Sequence, residues 1–526
     1  MRADGAPGHA FPGKPKVLAM TAEGEGRTGK SSESSNATFP DGQGRLAESS
    51  LSQDVRRGLR WSFASQICLR MVSLLSGIVM VRILGPSEFG VATFALAVST
   101  ILISVNDLGQ VLSLMRWPGA DHDEVARTSA TLAITTSLML YGACFLAAPA
   151  LASLAGRPEA AGIIRLITLV VVIDGFATAP RGLLLRRFQQ SKLAIAELVG
   201  VPVNAAVAVT MAVGGAGAWA PAAGLVSAAV VTAGLELVFC PKIPIPGFDR
   251  QHARQLLGFG LPLAGSSFVE LLLLNIDSII VASHLGTTAL GFYALAFNIS
   301  SWPSSVITQA VRRVSIAGFS RLAEDPDRGR ATFTRAFLAL GAVLLPLCAF
   351  LAVLAKPLIG FVYGELKLPA APVLRWLAVL GGVRVAMGLI FDYLVGLGRS
   401  RTTLRLQTCW LVGVGPALLV GATVDGIRGA AIAHVVVAGG VALPLFLATL
   451  HRAGVQLSEV ARGLLRPAIG LLVMIGVGMA LAGQLSNKLL HLLVVGPVLL
   501  LVYALVAVSP SDRSRLTDLV GRRGSH

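Results

Sequence analysis

Apolar stretches of about twenty residues recur along almost the whole chain, and a helix of about this length crosses the hydrocarbon core of a bilayer. Short polar or glycine-containing segments separate the stretches. The pattern therefore predicts an all-α polytopic membrane protein with about 14 transmembrane helices. The predicted spans lie at roughly 59–84, 91–113, 125–150, 160–182, 193–213, 217–239, 258–283, 291–311, 331–354, 372–397, 403–423, 427–450, 463–482 and 489–508.

One short motif occurs twice, 201 positions apart. Residues 84–90 read Leu-Gly-Pro-Ser-Glu-Phe-Gly, and residues 285–291 read Leu-Gly-Thr-Thr-Ala-Leu-Gly. The same offset pairs Ser65 with Ser266, Ala95 with Ala296 and Ser99 with Ser300. Six predicted spans separate the copies, so both copies enter the membrane in the same direction. This predicts two parallel six-helix bundles around a central cavity, as in transporters that work by alternating access. The motif glycines are expected to permit tight turns between helices.

The predicted domains follow from the spans and the repeat. They are a disordered cytosolic tail at 1–55, an N-terminal six-helix bundle at 56–240, a cytosolic linker at 241–257, a C-terminal six-helix bundle at 258–450, two additional helices at 451–508 and a cytosolic tail at 509–526. The first tail is rich in Gly, Ser and Pro and has no sustained hydrophobic periodicity, which is typical of disorder.

Composition and charge support membrane insertion. The chain is 54% hydrophobic and 14% charged, with a mean hydropathy of +0.72. Alternate loops divide the Lys and Arg residues unevenly, with 28 on the side of the N-terminal tail and eight on the other. Because cytoplasmic loops carry the excess of positive charge, both termini are predicted to be cytosolic. The net charge of +16 is thus explained by topology, and no nucleic-acid partner is expected.

Catalytic and metal-binding patterns are missing from the sequence. The five cysteines occur singly inside apolar stretches, without the spacing of a disulfide framework or a zinc site. No nucleophile–base pair, metal cluster or large loop is recognisable either. The sequence therefore predicts a protein that is not an enzyme and that needs no cofactor or metal.

Ionisable residues within the spans are the functional candidates, because a charge in a membrane must face protein or water. Glu270, Asp277 and His284 are spaced seven apart, which places them on one helical face that we expect to line the cavity. The alternative is that they pair with neighbouring helices inside one bundle. The repeat offset maps Arg70 onto the position next to Glu270, so the two residues are predicted to lie at a similar depth in opposite halves. An Arg at this depth suits a pyrophosphate group, because its guanidinium binds phosphate oxygens with two hydrogen bonds. Arg384 lies deep in the tenth span and needs an anion or a wet cavity.

Further candidates are weaker. The secondary cavity candidates are Asp107, Asp174, Asn275, His284 and Asp392. Glu197, Asn204 and Glu236 are equally well explained as contacts between helices. His434 is expected to be a satisfied interhelical residue, with proton coupling as the alternative. Arg181, Arg186 and Arg187 are candidates for binding lipid headgroups at the cytosolic face, although basic loops occur there for topological reasons alone.

Several short motifs, in this order along residues 59–400, resemble one known family. They are Leu84-Gly85-x4-Gly90, Asp107-Leu108-Gly109, Arg186-Arg187-Phe188, Asn275-Ile276-Asp277, Leu285-Gly286-x3-Leu290-Gly291-Phe292-Tyr293, Phe319-Ser320-Arg321-Leu322, Asp325-Pro326-Asp327-Arg328, Ala355-Lys356-Pro357-Leu358 and Tyr363-Gly364. The chain resembles the bacterial polysaccharide and lipopolysaccharide-biosynthesis flippases of the multidrug/oligosaccharidyl-lipid/polysaccharide exporter superfamily. It departs from the family pattern in its long N-terminal tail and in residues 364–369, which lack a Trp after the Gly.

The resemblance implies a transporter in the bacterial cytoplasmic membrane. Its implied substrate is a polyprenyl-pyrophosphate-linked oligosaccharide, which family members move from the inner to the outer leaflet. Membrane lipids and polysaccharide-assembly proteins are the further partners that it implies. The alternatives are a cation-coupled drug antiporter of the same superfamily, a membrane-embedded polysaccharide polymerase or ligase, and a scaffold protein that does not transport.

Overall fold

The computed structural model describes residues 69–107, 111, 114, 122–187, 189–321, 326–397, 399–481 and 488–507. The side chains of residues 107, 122, 259–267, 270, 304–321, 326 and 400 lie outside this description. All of the described residues belong to one unit, Ala64–His526. The predicted tails at 1–55 and 509–526 lie outside the described residues.

The described residues form long helices joined by short connections. The helices are α1 (69–83), α2 (Pro86–Asp107), α3 (His122–Leu154), α4 (Ala161–Arg186), α5 (Gln190–Val213), α6 (Trp219–Phe239), the pair α7 and α8 (together Arg250–Arg321), α9 (Pro326–Val353), α10 (Ala370–Gly396), the pair α11 and α12 (Ser400–Val437, continuing to Arg452), α13 (Leu457–Leu481) and α14 (Lys488–Ala507). Short helical turns at Ala355–Val362 and Glu365–Lys367 connect α9 to α10.

Two of the long helical segments are interrupted by residues with non-helical backbone angles. Gly286, with φ 82° and ψ 173°, divides 250–285 (α7) from 287–321 (α8). Asp425 and Gly426, the latter with φ 55°, divide 400–424 (α11) from 427–452 (α12). Positive φ is inexpensive for glycine because it has no Cβ. Each glycine therefore lets the chain reverse with few residues in the connection.

The helices confirm the predicted fold class. Within the described residues, 11 helical segments are long and apolar enough to cross a membrane. Two of these segments contain the breaks just described, and 69–83 is the described part of one more helix. Each of the 14 predicted spans therefore contains helix. An α-helix satisfies its own backbone hydrogen bonds, which is what a chain without access to water requires.

The helices pack as two successive groups with an appended pair. α2 to α6 contact one another, and α1 packs on α5 and α6 through Met80 and Leu84. α7 to α12 form the second group. α13 and α14 contact each other and α9, so they lie beside the second group. We refer to these groups as the N-terminal and C-terminal bundles.

Loops that the sequence assigns to one side of the membrane contact each other. On the side of the first motif copy, the Glu88 carboxylate accepts a hydrogen bond of 2.8 Å from the backbone N–H of Ala218. On the opposite side, the Arg186 guanidinium donates to the carbonyl of Leu114 at 3.2 Å. The connections between these helices therefore lie on the sides that the predicted order of spans assigns to them.

The two motif copies meet each other where α2 crosses α8. A Cβ atom added at Gly90 would overlap the backbone carbonyl of Thr287, and one added at Gly291 would overlap that of Pro86. These two contacts are equivalent by the repeat offset, because Pro86 corresponds to Thr287 and Gly90 to Gly291. The crossing is therefore a pseudo-twofold, backbone-to-backbone contact between the bundles. Small residues permit such close approach of helices within membranes.

The role expected for the motif glycines therefore needs correction. Gly286 has the positive φ of a turn, but Gly85 does not, and Gly90 and Gly291 lie inside helices. Ala95 and Ala296, identical by the repeat offset, are both fully buried in one core cluster that contains residues of both bundles. The demand for small side chains between the bundles explains why these sparse identities occur in both copies.

Two cations also join the bundles at this same end, which we call the crossing end. The guanidinium of Arg82 on α1 donates to the carbonyls of Phe361 and Val362, at 2.8 and 2.5 Å. The Lys367 ammonium donates to the carbonyl of Leu84 at 2.7 Å. Lys367 is 4% exposed, and burial lowers the pKa of its ammonium group. The crossing end is thus closed by a steric fit and by polar bonds.

We expect Gly90→Ala and Gly291→Ala to destabilise the protein by about 1–3 kcal/mol, because each methyl group overpacks the crossing. Thermal unfolding of the purified protein in detergent measures this as a lowered Tm. Gly142→Ala on α3 is the matched control, because an added Cβ there meets nothing within 4 Å. Alanine is the better helix former by up to about 1 kcal/mol, so the control is expected to be equally or more stable. Equal Tm values for all three variants would contradict the close crossing.

Candidate functional site

Asp277 is a buried carboxylate inside the C-terminal bundle. It lies on α7 and is 1% exposed. The Tyr293 hydroxyl on α8 donates to its Oδ2 at 3.1 Å, and the backbone N–H of Ser278 lies 2.9 Å from its Oδ1. Nδ1 of His434, on α12, lies 3.9 Å from Oδ2. A carboxylate buried in this way requires such partners, because transferring an unpaired charge out of water is costly.

Arg384 is the cation of the same cluster. It lies on α10, and its guanidinium carbon is 5.1 Å from the centroid of the Phe297 ring, a cation–π distance. It lines one cavity together with His434, whose Nδ1 is the atom that lies 3.9 Å from Asp277. Among the residues that the structure describes, none accepts a hydrogen bond from its guanidinium. Arg384 therefore places a positive charge in the same cluster as Asp277 while its own donors stay available.

A cavity of about 140 Å³ opens beside Arg384 and His434. Gln407 and Trp410 of α11 supply the other polar groups of its lining. Both ring nitrogens of His434, which is 2% exposed, and Nε1 of Trp410 are buried and have no hydrogen-bond partner within the described part of the chain. Unpaired buried polar atoms are rare, so this cavity is suited to water or a small polar group.

His434 differs from its expected role as a satisfied interhelical residue. Its imidazole meets the Trp410 indole edge to face, with ring centroids 6.2 Å apart. This contact satisfies neither of its nitrogens. The proton-coupling alternative therefore gains an observation that sequence alone did not provide.

The predicted stripe on α7 does not share one environment. Asp277 is buried among the other helices of its own bundle, whereas His284 is exposed and its Nδ1 lies 3.1 Å from the Ser283 hydroxyl. The Glu270 side chain lies outside the described residues. Arg70 is exposed on α1. Its pairing with Glu270 stays a prediction.

The secondary candidates have local partners or lie outside the description. Asn275 donates to the backbone carbonyl of Leu271 at 2.8 Å, one turn earlier in α7. Asp392 on α10 is 7% exposed. The Asp107 side chain is outside the described residues. Cavity roles for these three residues stay predictions.

Arg181 forms an ion cluster inside the N-terminal bundle. Its Nη1 lies 2.9 Å from Asp174, and its Nε lies 3.2 Å from both carboxylate oxygens of Glu236 on α6. The side chain of Glu236 is 5% exposed, and that of Arg181 is 32% exposed. Arg181 therefore links α4 to α6 through its ion pair with Glu236. Arg187, by contrast, is exposed at the end of α4. Headgroup binding by Arg181, Arg186 and Arg187 stays a prediction.

An apolar groove lies between α9, α10, α12 and α13. Its volume is about 510 Å³. Side chains that line it include Phe337, Leu344, Cys348, Val383, Leu447 and Leu464. The additional helix α13 supplies one wall, so the C-terminal appendage creates a surface that the two bundles alone do not have.

Sequence reasoning missed four residues of these sites. Tyr293 and Trp410 are aromatic residues in apolar spans, which usually indicate packing, and Gln407 is uncharged. Lys367 lies in a short loop that predicts only exposure. The signal that could have identified Tyr293 is its position directly after the second motif copy. Among the described residues, no group of three His, Cys, Asp or Glu side chains is placed to hold a metal ion.

We expect Arg181→Gln to lower the Tm of the purified protein, by the equivalent of about 3 kcal/mol at most, because it leaves two carboxylates without a counter-charge. The partial exposure of Arg181 reduces this cost. The double variant Arg181→Gln/Glu236→Gln should recover part of the lost stability, since one buried negative charge is then removed. If the double variant melts at the lower Tm of the single variant, the ion cluster does not contribute in this way.

Comparisons with known proteins agree with the architecture. A family model described as polysaccharide biosynthesis protein matches residues 79–372. The succinoglycan biosynthesis transport protein ExoT of Rhizobium meliloti (strain 1021) is 28% identical over 71% of this chain and 75% of its own length. The lipopolysaccharide biosynthesis protein WzxC of Escherichia coli (strain K12) is 23% identical over 74% of this chain and 79% of its own.

A solved structure shares the fold. The lipid II flippase MurJ, in an inward closed conformation, superposes with a TM-score of 0.68 and covers 84% of this chain and 97% of its own, at 13% identity. This likeness supports a bundle architecture of the same kind. Since the family model covers more than half of the chain, this multi-pass membrane protein belongs to the polysaccharide biosynthesis protein family.

Proposed function

We propose that the protein flips a lipid-linked oligosaccharide from the inner to the outer leaflet of the bacterial cytoplasmic membrane, for cell-surface polysaccharide biosynthesis. The observation that carries this proposal is the crossing of α2 and α8. It closes one end of two repeated bundles through two backbone contacts that the repeat relates to each other. Alternating access requires such a closure at each end in turn.

The orientation of the protein in the membrane is inferred from the distribution of basic residues between its loops. With both termini in the cytosol, as the distribution of Lys and Arg predicts, the crossing end faces outward. The described conformation is then the one in which the outer end is closed. A substrate would be taken up from the cytosolic side, where lipid-linked precursors are made.

The sites in the C-terminal bundle suit an amphiphilic substrate. A polyprenyl-pyrophosphate oligosaccharide combines a long apolar chain with an anionic group. The groove between α9 and α13 offers an apolar surface, and Arg384 offers an available guanidinium on α10, a helix that also lines the groove. A guanidinium binds phosphate oxygens with two parallel hydrogen bonds. The similarity to a succinoglycan biosynthesis transport protein and to a lipopolysaccharide biosynthesis protein favours polysaccharide precursors over drugs as cargo.

Deletion of the gene is expected to make lipid-linked oligosaccharides accumulate with their sugars on the cytosolic leaflet. Extraction of these lipids, combined with a membrane-impermeant sugar-oxidising reagent, measures the amount on each side. Unchanged glycolipids together with altered drug tolerance would instead favour the antiporter. A normal distribution of polysaccharide precursors would contradict the flippase.

In the same assay, Arg384→Gln is expected to lower export about tenfold, because a charge-assisted hydrogen bond contributes about 1.5–3 kcal/mol. The matched control is Arg375→Gln, an exposed Arg on the same helix, which should export normally. Equal export by both variants would remove Arg384 from the substrate site.

Weakening the closed outer end should make it open more often. Lys367→Met keeps an apolar stem but removes the donor to Leu84, a loss of about 1 kcal/mol, which corresponds to about fivefold more opening. Labelling of a Ser87→Cys variant by a membrane-impermeant maleimide in intact cells measures this opening. Lys356→Met, at an exposed position of the short helix Ala355–Val362, is the control. Equal labelling rates in the two backgrounds would show that Lys367 does not hold this end closed.

A further inference from the structure

Within the part of the chain that the structure describes, the cluster in the C-terminal bundle contains one permanent cation, one carboxylate and an imidazole that has no hydrogen-bond partner. The groups that face His434 come from four helices: Asp277 of α7, Tyr293 of α8 through its bond to Asp277, Arg384 of α10, and Gln407 and Trp410 of α11. Of these, Arg384 and His434 line the cavity, whereas Asp277 lies behind them, 1% exposed. An anion that enters the cavity therefore reaches Arg384 first.

Charge balance couples the binding of an anion by Arg384 to the charges of Asp277 and His434. The Arg384 guanidinium and the Asp277 carboxylate carry opposite charges in one cluster, so their charges cancel when His434 is neutral. If Arg384 instead binds a phosphate oxygen, Asp277 loses its counter-charge although its carboxylate is buried. A second positive charge must then be supplied nearby, since an unpaired buried carboxylate is costly. Nδ1 of His434, 3.9 Å from the Asp277 carboxylate, is the place where a proton supplies it.

We propose that Asp277 and His434 form an intramembrane site for one proton, and that binding of an anionic group by Arg384 draws this proton in. The inference rests on the proposed function, because the anion is a phosphate oxygen of the substrate. In the empty state, the positive charge of Arg384 offsets the negative charge of Asp277 without a direct ion pair, and the site holds no proton. In the occupied state, Arg384 pairs with the anion, and the proton lies between the carboxylate and the imidazole. If one negative charge is counted for the phosphate oxygen that Arg384 binds, the net charge of the cluster with its ligand is the same in both states.

Thermodynamic reciprocity makes the proposal quantitative. If the anion raises the affinity for the proton tenfold, the proton raises the affinity for the anion tenfold. A tenfold change in proton affinity moves the titration midpoint by one pH unit. The same coupling can therefore be measured from either side, and the two values must agree.

Trp410 provides the readout, because a protonated imidazole quenches an adjacent indole and the two rings here are in edge-to-face contact. A full-length variant in which Trp410 is the only one of the six tryptophans is titrated with acid in nanodiscs. Saturating inorganic pyrophosphate is the probe. The expected result is that pyrophosphate moves the midpoint of quenching upward by about one pH unit. Pyrophosphate should correspondingly bind about tenfold more tightly below the midpoint than above it.

Variants separate the roles within the cluster. Arg384→Gln should raise the midpoint without pyrophosphate, because Asp277 then lacks its counter-charge, and should make it insensitive to pyrophosphate. His434→Gln should abolish the pH-dependent quenching. His451→Gln is the matched control, an exposed histidine at the end of α12 that should leave the titration unchanged. The measurement in the unmodified cluster needs none of these variants to fold.

Three results would overturn the inference. Pyrophosphate that binds, with loss of binding in Arg384→Gln, but leaves the midpoint unchanged would refute the coupling and preserve the substrate role of Arg384. A midpoint that shifts with sodium in place of choline would assign the site to a metal cation. Absence of pyrophosphate binding would refute the link through Arg384, and the export assay in cells would still decide separately whether the protein is a flippase.

Discussion

The two bundles touch at a point where neither helix has a side chain. At Gly90 and Gly291 the backbone of one helix lies directly against a carbonyl of the other, so the distance between the bundles is set by main-chain atoms. In a membrane, no hydrophobic driving force holds helices together, and close packing has to do so. Arg82 and Lys367 make the other contacts at the crossing end. These contacts depend on the close approach of the bundles, because each side chain donates to backbone carbonyls of the opposite bundle.

The exclusion of water also determines how charged side chains are paired inside each bundle. Arg181 in the N-terminal bundle is held between two carboxylates, and its charge is used for cohesion. In the C-terminal bundle Asp277 has a tyrosine hydroxyl and a backbone N–H, but Arg384 and His434 have no hydrogen-bond partner among the described residues and line a cavity. This asymmetry between the halves of a repeated protein is where a specific ligand can act, because a symmetric structure would bury its charges in the same way twice.

Much of the fold could be predicted from the sequence because it follows from length, hydropathy and charge. Apolar length identified each span, the basic loops ordered the spans, and the repeat indicated two halves. Individual sites were less predictable. The seven-residue spacing correctly places Glu270, Asp277 and His284 on one helix, but whether a face meets a cavity or a neighbouring helix depends on helix rotation. Arg181 shows the same limit, since it lies near a basic loop in sequence and points back to Asp174 in space.

The sequence by itself determined that this chain spans a membrane as helices, in two parallel halves with an added pair, because the bilayer imposes those features on any chain with this hydropathy. Tertiary structure alone decided what the repeated glycines do and which charges meet. Residues 84–90 and 285–291 are 201 positions apart, and only packing shows that they touch. The cluster of Asp277, Arg384 and His434 likewise draws on three distant helices. Such contacts depend on three-dimensional packing, which no local pattern specifies.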